Sequence, residues 1–276
     1  MTITNVYNIN ETILWVEDTG EKHLPVIFCL HSLFLDGTMF EALADQAQGS
    51  YRVICPDFRG QGSSAPVAAR SVTMDTCADD MLALIEAMGL ADIHLVGASM
   101  GGDVAARMAA RRPDLFRSLV FMGSSVREEP EEQKAQFRAW LDSAAEIGFV
   151  GDNLALLIAV MFGETSRGKA DADARLGPWI KKLETLRRSL WPAMFGVLER
   201  GSAVPLLRNI KAPTLVYSGK DDFARPPEWG QELAEGIAGA RLVPLDGVGH
   251  SPVIEVPEIV IPQTLAFIAQ AHASAA

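Results

Sequence analysis

The sequence predicts an α/β protein: a mostly parallel, doubly wound sheet with a helical cap inserted between two late core strands. Three observations predict it. Short apolar runs recur without alternation, as in strands covered on both faces. Amphipathic helical patterns separate these runs, which is the rhythm of a doubly wound sheet. Between about residues 125 and 207 the rhythm stops and the pattern turns helical throughout.

The elements follow in order. TILWVE (12–17) fits an early antiparallel strand. VIFCLHS (26–32), RVICPDF (52–58), IHLVGAS (93–99) and SLVFMGS (118–124) fit buried parallel strands, and TLVYSG (214–219) and RLVPLDG (241–247) come late. TMFEALADQA (38–47) is a first helical stretch. MDTCADDMLALIEAMG (74–89) places Met81, Leu84, Ile85 and Met88 on one face and stops at Gly89, a residue that ends helices readily. MGGDVAARMAARRP (100–113) stops at Pro113, and PPEWGQELAEGI (226–237) opens on prolines, which a first helical turn tolerates. EIVIPQTLAFIAQAHA (258–273) closes the chain, with Pro262 in or near its first turn.

EEQKAQFRAWLDSAAEIG, DNLALLIAVMFG and LGPWIKKLETLRRSLWPAMFGVLERG read as cap helices, and ETSRGKADADARLGP (164–178) as a polar, loop-like segment. The expected division is a core of 1–124 with 208–276 and a cap of 125–207.

Hydrophobic residues make up 49% of the 276, enough for a sizeable core, while the formal net charge is −11. A nucleic-acid binder needs a basic face to displace counterions, and no Lys/Arg block of that kind occurs. Cys29, Cys55 and Cys77 form no CxxC pattern and cannot all pair, so they are expected as buried thiols of a reducing compartment. MTITNVYNIN has no basic start and no apolar h-region. No run approaches the ~18 apolar residues of a membrane span. The expectation is a cytoplasmic protein with no nucleic-acid or membrane partner. A homodimer is possible; an exposed apolar cap face would favour one, and none can be read from the sequence.

GASMGG (97–102) carries the chemistry. Gly97, Ser99 and Gly101 fit G-x-S-x-G, a pattern with roughly a one-in-ten chance of arising at random in a chain this long. Context strengthens it, because the serine ends an apolar strand and opens a helix. Glycine at 97 and 101 removes the Cβ atoms that a sharp strand–helix turn would bring into collision. The turn also sets the backbone N–H of Met100 at a helix N-terminus, where developing negative charge is stabilised.

A serine hydroxyl needs a base, and imidazole titrates in the useful range. His23 lies in a polar loop, His272 in the tail, His94 at a strand start and His31 at the end of the first core strand. His250, in GVGHSP after the last strand, falls at the carboxyl edge of the sheet beside Ser99. An acid must then fix the imidazole tautomer. SGKDDFARPP (218–227) supplies Asp221 and Asp222, of which Asp222 is taken. The catalytic set is thus Ser99, Asp222 and His250.

The order Ser…Asp…His resembles the α/β hydrolases over nearly the whole chain. PDFRGQGSS (56–64) is similar to that family's D-x-R-G-x-G-x-S loop, and GKDDFARP carries G-x-x-D-x-x-x-P, whose fourth residue is the family's usual acid. HSLFLDGTMF (31–40) resembles the oxyanion loop of the 3-oxoadipate enol-lactonase and carboxylesterase group, which often reads Ser-Leu-Gly followed by Asp and Met at the spacing of Asp36 and Met39. Phe34 stands where that group has glycine.

The resemblance implies an oxyanion hole of the Leu33 and Met100 N–H groups, a serine esterase or lactonase acting on a small hydrophobic substrate, and no metal or cofactor. It leaves C–C bond hydrolases, amidases and perhydrolases as alternatives, and further off a non-catalytic ligand receptor. Serine at 99 sets aside dehalogenases and epoxide hydrolases, which use aspartate there. Phe34, Trp140, Phe162, Trp179, Trp191 and Met194 are the candidate substrate-binding residues, with Phe137 and Met161 beside them. The basic run at Lys181, Lys182, Arg187 and Arg188 reads as a solvated helix face.

Overall fold

Strands buried on both faces are built mainly from apolar residues, and the few polar side chains among them have to find partners. The structure is a computed structural model and describes residues 2–273. Among these residues a single eight-stranded sheet forms from β1 (Ile3–Ile9), β2 (Thr12–Asp18), β3 (Val26–Leu30), β4 (Arg52–Pro56), β5 (Ile93–Ala98), β6 (Phe116–Met122), β7 (Thr214–Gly219) and β8 (Arg241–Leu245). Its order is β1-β2-β4-β3-β5-β6-β7-β8. Only β2 runs against its neighbours, antiparallel to both β1 and β4, and every other neighbouring pair is parallel. Every residue of β3, β4, β5 and β7 is buried.

The helices are α1 (Glu41–Ala47), α2 (Met74–Ala87), α3 (Met100–Arg111), α4 (Glu131–Ile147), α5 (Asp152–Met161), α6 (Glu164–Arg167), α7 (Ala172–Glu184), α8 (Trp191–Leu198), α9 (Pro227–Glu235), α10 (Pro252–Glu255) and α11 (Pro257–Ala273). Helices α4 to α8 lie between β6 and β7, in the stretch that the sequence marks as the cap. Two sequence expectations need correction. Residues 164–178 are largely helical, in α6 and the first half of α7, because their polar side chains face outward while Ser166 and Leu176 are buried. Strand β1 was not expected. It is an edge strand with only Ile9 buried, so it lacks the apolar run that marked the others.

No helix among the described residues is long and apolar enough to cross a membrane. All three cysteines are buried and free.

The chain passes from β3 to β4 on one side and to β5 on the other, so the winding reverses at β3. Crevices at such a reversal, at the carboxyl ends of the strands, are where open α/β sheets place their ligands.

His94 lies inside β5 and does not face this crevice. Its Nδ1 is 2.8 Å from Ser118 Oγ, its Nε2 is 3.4 Å from His272 Nδ1, and Tyr51 packs edge-on against it. Burial, with the neighbouring His272 and Arg117 adding to it, pushes its pKa down to about 4 from an ordinary 6.5. The unfolded chain therefore binds a proton that the folded protein refuses. Stability from this group is complete above pH 6.5 and falls as pH drops towards 4, by up to about 3 kcal/mol. Urea melts across that range should show the decline, and His94→Gln should flatten it.

Candidate active site

Ser99 sits between β5 and α3 with φ +50° and ψ −113°, a left-handed backbone that non-glycine residues adopt only under constraint. Its N–H donates to Met122 O at 2.9 Å, and its carbonyl accepts the first α3 bonds from Gly102 and Asp103. A Cβ at position 97 would lie 2.6 Å from Gly101 O, and one at 101 would lie 2.1 Å from Leu30 O. Glycine at both positions is what allows α3 to begin against the ends of β3 and β5.

The three residues chosen from sequence meet here. His250 Nε2 is 2.7 Å from Ser99 Oγ, and His250 Nδ1 is 2.9 Å from Asp222 Oδ2. These partners assign the tautomer: Nδ1–H donates to the carboxylate and Nε2 is free to accept from the hydroxyl. Asp222 Oδ1 also accepts from the N–H groups of Ala224 and Arg225, at 2.9 and 2.8 Å, so the turn after β7 fixes the carboxylate. Asp221 points elsewhere, accepting from Thr165 N in the cap at 3.1 Å.

The His250 loop is held by a residue that sequence reading passed over. Glu255, fully buried in α10, accepts from Gly249 N at 2.9 Å and Ser251 N at 2.9 Å, on either side of His250, and from Gly163 N in the cap at 3.0 Å.

The loop after β3 turns at Ser32–Leu35, with Leu35 N donating to Ser32 O at 3.2 Å. Phe34 occupies the third position with φ +72°, where such a turn prefers glycine. Neither Leu33 N–H nor Met100 N–H bonds to another described residue, and Leu33 and Ser99 line the same cavity. His31 supports the turn as a neutral ring. Its Nδ1 donates to Ser32 O at 2.8 Å and its Nε2 accepts from Phe58 N at 3.0 Å.

Asp57 accepts from Gly37 N and Ser63 N, while burial pushes its carboxyl up. Lys182 is not a free surface cation. Its Nζ donates to Asp36 Oδ2 at 2.6 Å and Thr38 Oγ1 at 2.8 Å, clasping α7 of the cap to this loop. Burial alone would raise the Asp36 carboxyl, but the bonds and charge of Lys182 hold it below its ordinary range.

Ser99 and His250 open into a cavity of about 70 Å³. Phe34, Trp140 and Met194 line it, as do Phe137 and Met161. Three expected pocket residues do not. Phe162 is fully buried at the end of α5, next to Gly163, which is packed against Gly249. Trp179 turns towards Lys182 on its own helix, and Trp191 stacks edge-on against Phe195. Each packs cap against cap or cap against core. Sequence reading missed Glu129 and Arg225, which also line the cavity. Arg225 stands three residues beyond Asp222 in the same loop, and that nearness is the signal that marks it.

A family model described as the alpha/beta hydrolase fold matches residues 25–257. The protein belongs to that family. BpoC of Mycobacterium tuberculosis, described as a candidate non-heme bromoperoxidase, is 30% identical over 234 residues, covering 81% of this chain and 85% of that protein. A thermophilic esterase from Thermogutta terrifontis, solved with malate bound, has a TM-score of 0.86 at 28% identity, covering 98% of this chain and 99% of its own. The enol-lactonase from Burkholderia xenovorans LB400 has a TM-score of 0.82 at 25% identity, covering 96% and 100%. These neighbours support a hydrolase.

Gly101→Ala should lower stability by about 2 kcal/mol or more in urea unfolding, since the added methyl meets backbone and not a movable side chain. Glu255→Ala leaves three buried N–H groups without an acceptor, and should lower stability by about 3 kcal/mol, read as a fall in Tm.

Proposed function

We propose that the protein is a serine hydrolase that cleaves a small, mostly apolar carboxylic ester or lactone by acyl transfer to water. The observation that carries this reading is the 2.7 Å approach of His250 Nε2 to Ser99 Oγ, with Asp222 behind the ring. The substrate carbonyl lies against the N–H groups of Leu33 and Met100. His250 takes the Ser99 proton as Oγ attacks the carbonyl carbon. The oxyanion is stabilised by the two donors, each contributing about 3 kcal/mol. His250 then protonates the departing alcohol oxygen, and the C–O bond to it breaks. Water, deprotonated by the same imidazole, attacks the acyl-enzyme and releases the acid and the Ser99 hydroxyl.

Asp222 keeps the Nδ1–H tautomer and stabilises the imidazolium formed in each half. Residues 125–207 act as the cap over this site, with 1–124 and 208–276 as the core. The esterase and lactonase neighbours support the reaction class, and the small cavity supports a short acyl group.

The likeness to BpoC favours one second reading, perhydrolysis. There hydrogen peroxide in place of water attacks the same acyl-enzyme and gives a peracid.

A fluorophosphonate should label Ser99, located by mass spectrometry of the digested protein, and Ser99→Ala should abolish labelling. On a short p-nitrophenyl ester, Ser99→Ala should lower kcat by about 10⁴-fold or more and Asp222→Asn by about 10²- to 10⁴-fold. Labelling with peracid formation but no ester or lactone turnover would select the second reading. An unlabelled Ser99 in folded protein would sink both.

A further inference from the structure

The cavity beside Ser99 is apolar on most sides, but one wall is charged. Glu129 and Arg225 line it together with Phe34, Trp140 and Met194. Both charged residues are more than nine-tenths buried. Arg225 Nη2 is 2.9 Å from Glu129 Oε1, and Arg200 Nη1 approaches the same oxygen at 2.8 Å. The other oxygen, Oε2, is buried with no partner among the described residues. Arg225 is itself anchored, through its N–H to Asp222 Oδ1 at 2.8 Å and through Nη1 to Ala224 O at 2.6 Å. The ion pair is therefore fixed at a set place relative to the Asp222–His250–Ser99 line.

A carboxylate with one oxygen twice paired and the other bare is incomplete, and buried polar atoms in this state usually await a partner. The wall also restricts what that partner is. An anionic group would meet Glu129, and a cationic one would meet Arg225. An alkyl group would leave Oε2 as it is. A neutral hydroxyl can donate to the carboxylate and accept from the guanidinium. A cavity of about 70 Å³, walled by buried side chains, suits the group that stays on Ser99 after the alcohol has left.

We propose that Glu129 and Arg225 form a specificity subsite for a hydroxyl on the acyl group, so that the preferred substrates are short hydroxyacyl esters or the lactones that generate a hydroxyacyl chain. In a lactone, attack by Ser99 Oγ forms the ester bond, the ring C–O bond breaks, and the Ser99 proton passes through His250 to the ring oxygen. The hydroxyl so formed stays tethered. Held at Glu129 and Arg225, it is kept from re-attacking the acyl carbon while water enters. The proposal rests on the acyl-transfer reading of Ser99.

The test compares ethyl 3-hydroxybutyrate, ethyl 3-methoxybutyrate and ethyl butyrate with the wild-type protein, by titration of the acid released. The methoxy ester keeps the oxygen and its inductive effect but has no proton to donate. The expected result is a kcat/KM for the hydroxy ester at least tenfold above both others. In Glu129→Gln the hydroxy-to-methoxy ratio should fall towards one. If that variant does not fold, the wild-type ratios decide alone. Equal values for the three esters, or no discrimination against the methoxy ester, overturn the subsite. So does phosphonate labelling of Ser99 without turnover of the hydroxy ester. Failure of Ser99 to label overturns the acyl-transfer reading, and the subsite with it.

Discussion

The close approach of backbone at residues 97–102 is the constraint on which the site depends. Two glycines let the start of α3 press against the ends of β3 and β5 at distances no side chain would permit. That contact forces the residue between them into a left-handed conformation and turns its side chain out of the sheet. The same turn leaves an N–H at the head of α3 without an intrahelical acceptor. The outward position of the Ser99 hydroxyl and the free N–H beside it thus follow from a single steric fact. The remaining groups reach the same rim because they follow parallel strands, whose carboxyl ends all lie on one side.

What could be read in the sequence was what local chemistry dictates. Mostly apolar runs marked β3 to β7, because a strand covered on both faces favours apolar residues and admits a polar one only where it is partnered, as His94 is by Ser118. Ser99, Asp222 and His250 stood out because each sits in a glycine- or proline-punctuated loop directly after such a run. Strand β1 was illegible for the converse reason. It is nearly all exposed, and its hairpin to β2 turns on Asn10 and Glu11, both with positive φ, where Asn-Gly would have been the recognisable pair. The cavity wall was only half legible. An aromatic residue on a cap helix is apolar whether it lines the cavity or packs on its own neighbours, and Trp140 does the first while Trp191 does the second. Glu129 and Arg225 are meaningful only as a pair, and 96 positions of chain separate them.

Cap and core are joined by charge as well as by apolar packing. Lys182 reaches from α7 to Asp36 beside the Ser32–Leu35 turn. Arg200, just beyond α8, lies between Glu129 and Asp103 of α3. It is fully enclosed, and burial with the nearby Arg225 guanidinium pushes its pKa down to about 10. Burying such groups is unfavourable unless they are paired, so each clasp fixes one arrangement of cap on core and disfavours others. Phe34 belongs to the same scheme. It holds a backbone conformation suited to glycine, and its ring packs on Trp140 and Phe149 of the cap.

Glu255 ties the two halves together most directly, since one carboxylate holds both the imidazole loop and Gly163 at the α5–α6 junction. The height of the α5–α6 junction above the sheet and the aim of the His250 ring are therefore one mechanical variable and not two, because any shift of Gly163 loads the same carboxylate that fixes the backbone on either side of the imidazole.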